Sequence, residues 1–201
     1  MIRNIVFDIG NVLMDFHPLP YVARLLGDEA LAAQVVPLVF QSDEWLDLDR
    51  GTITQREASD RIAGRNPALA APIHRVFDNW MPLMTPLDAT VALLPRIKAA
   101  GYGLYYLSNF HDLAWGWMWK QFPFFQVFDG GVVSYPLHLI KPEPEIYRKL
   151  LRSYDLNAEE CVFLDDREEN VQAAVELGFH GIHVFPSADV EKLLTEKGVI
   201  L

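Results

Sequence analysis

Cysteine is nearly missing from this chain, with Cys161 alone among 201 residues. A lone thiol excludes an internal disulfide and any zinc site built on clustered cysteines. Because Cys161 opens the apolar run Cys161-Val162-Phe163-Leu164, a buried and inert thiol is expected. Positive charge is also scarce. Lys and Arg number 17 against 27 Asp and Glu, a formal net charge of -10, and there is no basic run of five or more. That balance argues against nucleic acid and against an anionic membrane as partners. No apolar run approaches membrane-spanning length, and no signal-type segment precedes Asp8, so a cytoplasmic location is expected. Internal repeats and low-complexity tracts are absent too.

What is present describes an ordinary globule, 51% hydrophobic and 22% charged, large enough for one domain or a domain plus an inserted unit. The organising stretch is Ile5-Val6-Phe7-Asp8-Ile9-Gly10-Asn11-Val12. A short apolar run ending in a carboxylate, with a Gly-Asn pair just beyond, reads as a buried strand of a parallel sheet. Asp8 then sits at the carboxyl end of that strand, the edge where open α/β sheets bind ligands. From about Phe16 to Met84 the pattern is helical. Thr54-Gln55-Arg56-Glu57 is a capping box, Gly51-Thr52-Ile53 separates two helices, and a further helix runs from Ala71 to Met81.

After this segment, strands and helices alternate. Thr85-Pro86-Leu87-Asp88 predicts an N-cap and first turn for a helix stopped by Gly101. Strands are expected over 103–107, near 132–134, over 162–164 and over 181–185, with helices between them and Ser187 capping the last helix. Five buried strands separated by helices predict an α/β fold, a doubly wound parallel sheet, with an all-helical insert. The expected division is a core of residues 1–16 and 85–201 and a helical cap of residues 17–84.

The chemistry emerges when strand ends are compared. Asp8, Ser108 and Asp165-Asp166 each end an apolar run, and Lys141-Pro142 opens a helix-leading loop. In a parallel sheet these ends share one edge, so the residues converge. A carboxylate, a hydroxyl, an ammonium and an acidic pair suit a phosphoryl group and Mg²⁺, a cation that prefers hard oxygen ligands. Transfer to Asp8 would give an aspartyl-phosphate. Ser108 and the Asn109 N–H would hold phosphoryl oxygens, and Lys141 would offset the charge of Asp8 and a phosphate dianion. Asp166, with Asp165 beside it, would hold the metal opposite Asp8. Glu168, Glu169 and Asn170 read as solvated or local capping. The aromatic stretch from Trp115 to Phe125 puts Trp115 and Trp119 on one helix face and Trp117 away from it. Core packing is expected for one face, with a homodimer contact the alternative for the other. None of the six histidines shows metal-ligand spacing.

That order of motifs resembles the haloacid dehalogenase-like hydrolase superfamily over essentially the whole chain. Phe7-Asp8-Ile9-Gly10-Asn11-Val12 looks like its first motif, Leu107-Ser108-Asn109 the second, Lys141-Pro142 the third and Phe163-Leu164-Asp165-Asp166 the fourth. The resemblance implies a Rossmann-like core with the helical cap inserted after the first motif. It implies Asp8 as nucleophile and Mg²⁺ ligand, the Gly10 carbonyl as a further ligand, and Asp166 as the acidic ligand. Within the superfamily the motifs are similar to those of sugar-phosphate phosphatases typified by bacterial α-glucose-1-phosphate phosphatase. The implied activity is hydrolysis of a small phosphorylated metabolite such as a sugar 1-phosphate. One position departs from the superfamily pattern: Gly10 stands where most such phosphatases carry a second Asp that protonates the leaving oxygen. Three outcomes remain open. Asp15 or His17 supplies the proton, the leaving group needs little help, or the protein is a weak catalyst that binds a phosphorylated ligand. The superfamily's 2-haloacid dehalogenases also lack that Asp, but Asp165-Asp166 favours a phosphatase. Trp45, Asp47, Asp49 and Arg50 are candidates for setting specificity from the cap.

Overall fold

Seven strands carry the chain's topology in a computed structural model that describes residues 1–201. They are β1 (Asn4–Phe7), β2 (Met14–Asp15), β3 (Thr85–Pro86), β4 (Gly103–Ser108), β5 (Gly130–Val133), β6 (Cys161–Asp165) and β7 (His180–His183). Five of them form one sheet in the order β5-β4-β1-β6-β7, parallel throughout. β2 and β3 pair separately as a short antiparallel ribbon, which clamps the start of the helical segment to its end.

Strand alternation divides the buried residues between two faces. Ile5, Phe7, Leu104, Val162 and Leu164 face one side, whereas Val6, Leu107, Cys161 and Phe163 face the other. The first side packs on α7 (Leu93–Ala99), α8 (Asp112–Gln121) and α11 (Val190–Glu196), and the second on α9 (Pro144–Tyr154) and α10 (Glu168–Glu176). Helices on both faces of a parallel sheet make the doubly wound α/β arrangement expected from the sequence. Sheet order reverses at β1, so β1 and β6 flank the switch point where such sheets bind ligands. Cys161 is fully buried with its thiol pushed up to about 11 by burial, hence inert.

Between β2 and β3 lie α1 (Pro18–Leu26), α2 (Glu29–Phe40), α3 (Asp43–Arg50), α4 (Gln55–Arg65) and α5 (Ala70–Asn79). Their apolar faces, with Trp80 and Met84 just beyond α5, belong to the same buried cluster as the first sheet face. The capping box forms as the sequence indicates, with Thr54 Oγ1 accepting from the Glu57 N–H and Glu57 accepting from the Thr54 N–H. Gly51 ends α3 at φ 74°, and a Cβ there would meet Tyr135 O at 2.4 Å. Only glycine lets the end of α3 lie this close to the loop after β5. No helix is long and apolar enough to cross a membrane.

Some local expectations give way to tertiary pairing. Thr85-Pro86 does not cap a helix, because its extended backbone pairs with Met14-Asp15. The following helix is accordingly later and broken, running as α6 (Asp88–Val91) and then α7. Asp189 rather than Ser187 caps α11, accepting from the Lys192 N–H. α10 starts at Glu168, so Asn170 lies in its first turn and is buried rather than solvated. The aromatic stretch packs as its spacing implies: Trp115 and Trp119 are 5.6 Å apart and both touch Phe125, while Trp117 turns to Phe122.

Candidate active site

The carboxyl edge of the sheet brings together Asp8 after β1, Ser108 at the end of β4, and Asp165-Asp166 at the end of β6. The loop before α9 adds Lys141. Asp8 Oδ1 accepts a hydrogen bond from the Ser108 hydroxyl at 2.6 Å and lies 2.7 Å from Lys141 Nζ. Lys141 Nζ also donates to Asp165 Oδ2 at 2.6 Å. All of these groups are buried except Asp166, which is partly open.

Three asparagines fix this floor, and two of them hold it in ways the sequence does not reveal. The Asn109 amide faces the Lys141 loop: its Nδ2 donates to Lys141 O at 3.1 Å and its Oδ1 accepts from the Lys141 N–H at 2.7 Å. Its own backbone N–H makes no hydrogen bond within the protein and remains available. Asn170 Nδ2 donates to both oxygens of Asp165, at 3.0 and 3.1 Å, and the Arg167 N–H donates to Asp165 Oδ1 at 2.9 Å. Asp165 is therefore engaged on both oxygens as the support of Lys141. Asn11, held at φ 53°, donates to Asp166 Oδ2 at 2.8 Å and aims that carboxylate at Asp8.

Three carboxylates against one ammonium leave an excess of two negative charges in a buried cluster. Burial, and to a lesser extent the repulsion of Asp165 and Asp166, pushes Asp8 up to about 7 even though Lys141 pulls it down. Burial also raises Asp166, despite the bond from Asn11. Burial works against the Lys141 charge, but Asp165 and Asp8 outweigh it and hold the ammonium above its ordinary range. Asp8, Asp165 and Asp166 offer oxygens within 4.8 Å of one another. An all-oxygen, electron-rich donor set with uncompensated charge fits a hard divalent cation such as Mg²⁺. Asp8 and Asp166 keep oxygens free to bind it, and Gly10 lines the same cavity.

Above this floor lies a cavity of about 220 Å³. Phe16, Phe40, Trp45, Trp80 and Met84 make its upper wall, with Trp45 and Trp80 ring centroids 4.9 Å apart. Of the four cap candidates, Trp45 and Asp49 reach the cavity. Asp47 does not, and Arg50 turns away to bond Glu143 Oε1 at 2.6 Å. Asp49 is the one acidic side chain the cap delivers. Of the three outcomes left open for the missing proton, the source beside the first motif is not placed at the cavity. Asp15 and His17 pair with each other, 40% and 64% exposed, and neither lines the cavity, because β2 turns Asp15 outward. His111, which shows no metal-ligand spacing in the sequence and joins no metal cluster in the structure, lines the wall, buried against Trp45 and Trp80 with Nε2 unpartnered. Burial drops its imidazole to about 4, so it is neutral at ordinary pH.

The chain is similar to known proteins in sequence and in fold. A sesquiterpene phosphatase of Aspergillus oryzae is 26% identical over 187 residues, covering 90% of this chain and 89% of the relative. A D-ribitol-5-phosphate phosphatase of Bacteroides thetaiotaomicron is 25% identical over 211 residues, covering 97% and 98%. In fold, an enzyme of the same family from Bacteroides thetaiotaomicron, solved with magnesium and inorganic phosphate, superposes with a TM-score of 0.78 at 24% identity. That superposition covers 96% of this chain and 99% of the other. The family model of haloacid dehalogenase-like hydrolases matches residues 2–178, which includes every residue of the floor. The chain belongs to the haloacid dehalogenase-like hydrolases.

Proposed function

We propose that this hydrolase is a Mg²⁺-dependent phosphomonoesterase acting through an aspartyl-phosphate on Asp8. The observation that carries the reading is the environment of Asp8: a buried carboxylate bonded to both a hydroxyl and an ammonium beside a second, partly open acid. Asp8 attacks phosphorus, while Ser108, Lys141 and the Asn109 N–H receive phosphoryl oxygens and bring the dianion to an otherwise repelling carboxylate. Asp8, Asp166 and the Gly10 carbonyl are the groups that would hold Mg²⁺. When bound, the cation supplies charge neutralisation of the phosphoryl oxygens and keeps Asp8 ionised.

The substrate is a small phosphorylated metabolite. A sugar phosphate, in particular a sugar 1-phosphate with its weakly basic leaving oxygen, suits a site with Gly10 where a nearby acid is usual. A second reading is favoured by the aromatic wall, since Asp49 is the sole polar residue among those the cap sends into the cavity. A polyhydroxylated leaving group finds few partners there, whereas an apolar alcohol buries itself against Trp45 and Trp80. The relatives' names span both classes.

The test is a panel of sugar 1-phosphates, their 6-phosphate isomers, sugar-alcohol phosphates and prenyl or aryl phosphates, each with Mg²⁺ and with chelator. Expected is Mg²⁺-dependent phosphate release that is abolished in Asp8→Asn. Halide release from chloroacetate without Mg²⁺ would support a dehalogenase instead. Phosphate binding without turnover would support a silent binding protein.

A further inference from the structure

The proton that Gly10 cannot supply has another source in this fold. The last turn of α3 is fastened to the core at Asp49 itself and at the two residues that follow it. Ser134, fully buried, donates its hydroxyl to the Asp49 carbonyl, and Arg50 donates to His138 O at 3.1 Å and to Glu143 Oε1 at 2.6 Å. Gly51 then packs on Tyr135 at a distance that excludes any side chain. With its backbone pinned and Arg50 turned outward, the Asp49 side chain enters the cavity that Asp8, Ser108 and Lys141 line from below. Its carboxyl makes no hydrogen bond or ion pair within the protein, unlike that of Asp165 or Asp166. Gly10 leaves open space above Asp8, with no atom within 4 Å of where a Cβ would stand.

We propose that Asp49, delivered by the cap, is the general acid and base of this hydrolase, in the role that the Gly10 position does not fill. The proposal rests on the phosphomonoesterase reading above. In the first step an Asp8 oxygen bonds to phosphorus as the bond to the leaving oxygen breaks. The Asp49 carboxyl gives its proton to that oxygen, releasing the alcohol. In the second step water attacks the phosphorus of the aspartyl-phosphate and yields its proton to the Asp49 carboxylate. The bond to Asp8 breaks, inorganic phosphate leaves, and Asp49 is protonated again. Burial foremost, with the negative charge of Asp8 next, pushes the Asp49 carboxyl up to about 7, against the pull of Lys141. A group near that value can both give and take a proton at neutral pH.

The test compares wild type, Asp49→Asn, Asp49→Ala and, as a same-helix control, Asp47→Asn on phosphates of graded leaving-group basicity with Mg²⁺. Alkyl phosphates should lose about 10²- to 10⁴-fold in kcat/KM in the Asp49 variants, the usual worth of acid–base assistance. Release of an activated phenol in the first turnover should be little changed. Because hydrolysis of the aspartyl-phosphate then lacks its base, p-nitrophenyl phosphate should show a burst of about one equivalent followed by slow turnover. Asp47→Asn should follow wild type. Equal losses for good and poor leaving groups in both Asp49 variants, without a burst, would overturn the proposal. Wild-type turnover that survives Asp8→Asn would overturn the underlying reading instead.

Discussion

The Lys141 ammonium donates to Asp165 Oδ2 at 2.6 Å, with the two side chains 1% and 0% exposed. Lys141 also bonds Asp8, so one cation is shared by two buried carboxylates. Removing one member of a buried pair leaves its partner uncompensated, at a typical cost of about 3–5 kcal/mol. Lys141→Ala should therefore lower Tm by roughly 6–20 °C in Mg²⁺-free buffer and abolish turnover. An unchanged Tm would show that the ammonium is not needed to hold the acids together.

Asp166 and Asp165 should separate cleanly in a metal titration. Asp165 is engaged on both oxygens by Lys141, Asn170 and the Arg167 N–H, whereas only Asn11 holds Asp166. Groups that orient a metal ligand commonly contribute about 10- to 100-fold in affinity. Asn11→Ala should weaken Mg²⁺ binding by about that factor and Asp166→Asn by more. Asp165→Asn should cost stability and turnover first. Following Mg²⁺ binding by its effect on Tm checks all three variants, and a normal Mg²⁺ affinity in Asp166→Asn would remove that residue from the ligand set.

The same crowding makes metal-free stability depend on pH. Asp8 and Asp49 stand at about 7 in the folded chain against 3.8 for an unperturbed carboxyl. A raised carboxyl favours the folded state while protonated, so its contribution is complete below about 4 and is lost as pH rises through about 7. His111, lowered from 6.5 to about 4, acts in the opposite sense: its contribution is complete above 6.5 and lost as pH falls. It offsets part of the carboxyl effect in the acid range. Tm without metal should therefore fall as pH rises from about 4 to about 7 and level off above that, and the gain on adding Mg²⁺ should be larger at pH 8 than at pH 5.5. Asp8→Asn should flatten the fall. A Tm that rises across this interval in the metal-free protein would contradict the assigned shifts.

The floor of the site was legible because strand periodicity alone places Asp8, Ser108 and Asp165-Asp166 at one edge of a parallel sheet. Nothing long-range has to be guessed for that. The cavity wall was not legible, because Asp49 and His111 reach it through helix packing that leaves no fixed spacing to the motifs. Trp45 and Asp49 stood out as candidates on the cap, but only the Gly51–Tyr135 approach and the Ser134 bond decide which side chain turns inward. Thr85-Pro86 misleads for a related reason. Its residues favour a helix start locally, and β2 captures them as a strand. Asn170 reads as a helix-end residue until β6 brings Asp165 against it.

Gly10 offers the last test. A Cβ there would meet nothing within 4 Å, and its backbone is not in the left-handed region, so Gly10→Asp should be tolerated. The new carboxyl would stand at the edge of the cavity close to Asp8, near the leaving oxygen of a bound phosphate. In wild type it should add little, because Asp49 already moves the proton. In Asp49→Asn it should restore part of the lost activity, and more for alkyl phosphates than for activated aryl phosphates, since only the former need the proton in the transition state. Comparing kcat/KM for the two single variants and the double variant over the same leaving-group series gives the coupling between the positions directly. Additive losses, with Gly10→Asp lowering activity by the same factor in either background, would show that the two carboxyls do not share a task. A rescue confined to poor leaving groups would show that one proton-transfer role can be filled from the β1 loop or from the cap.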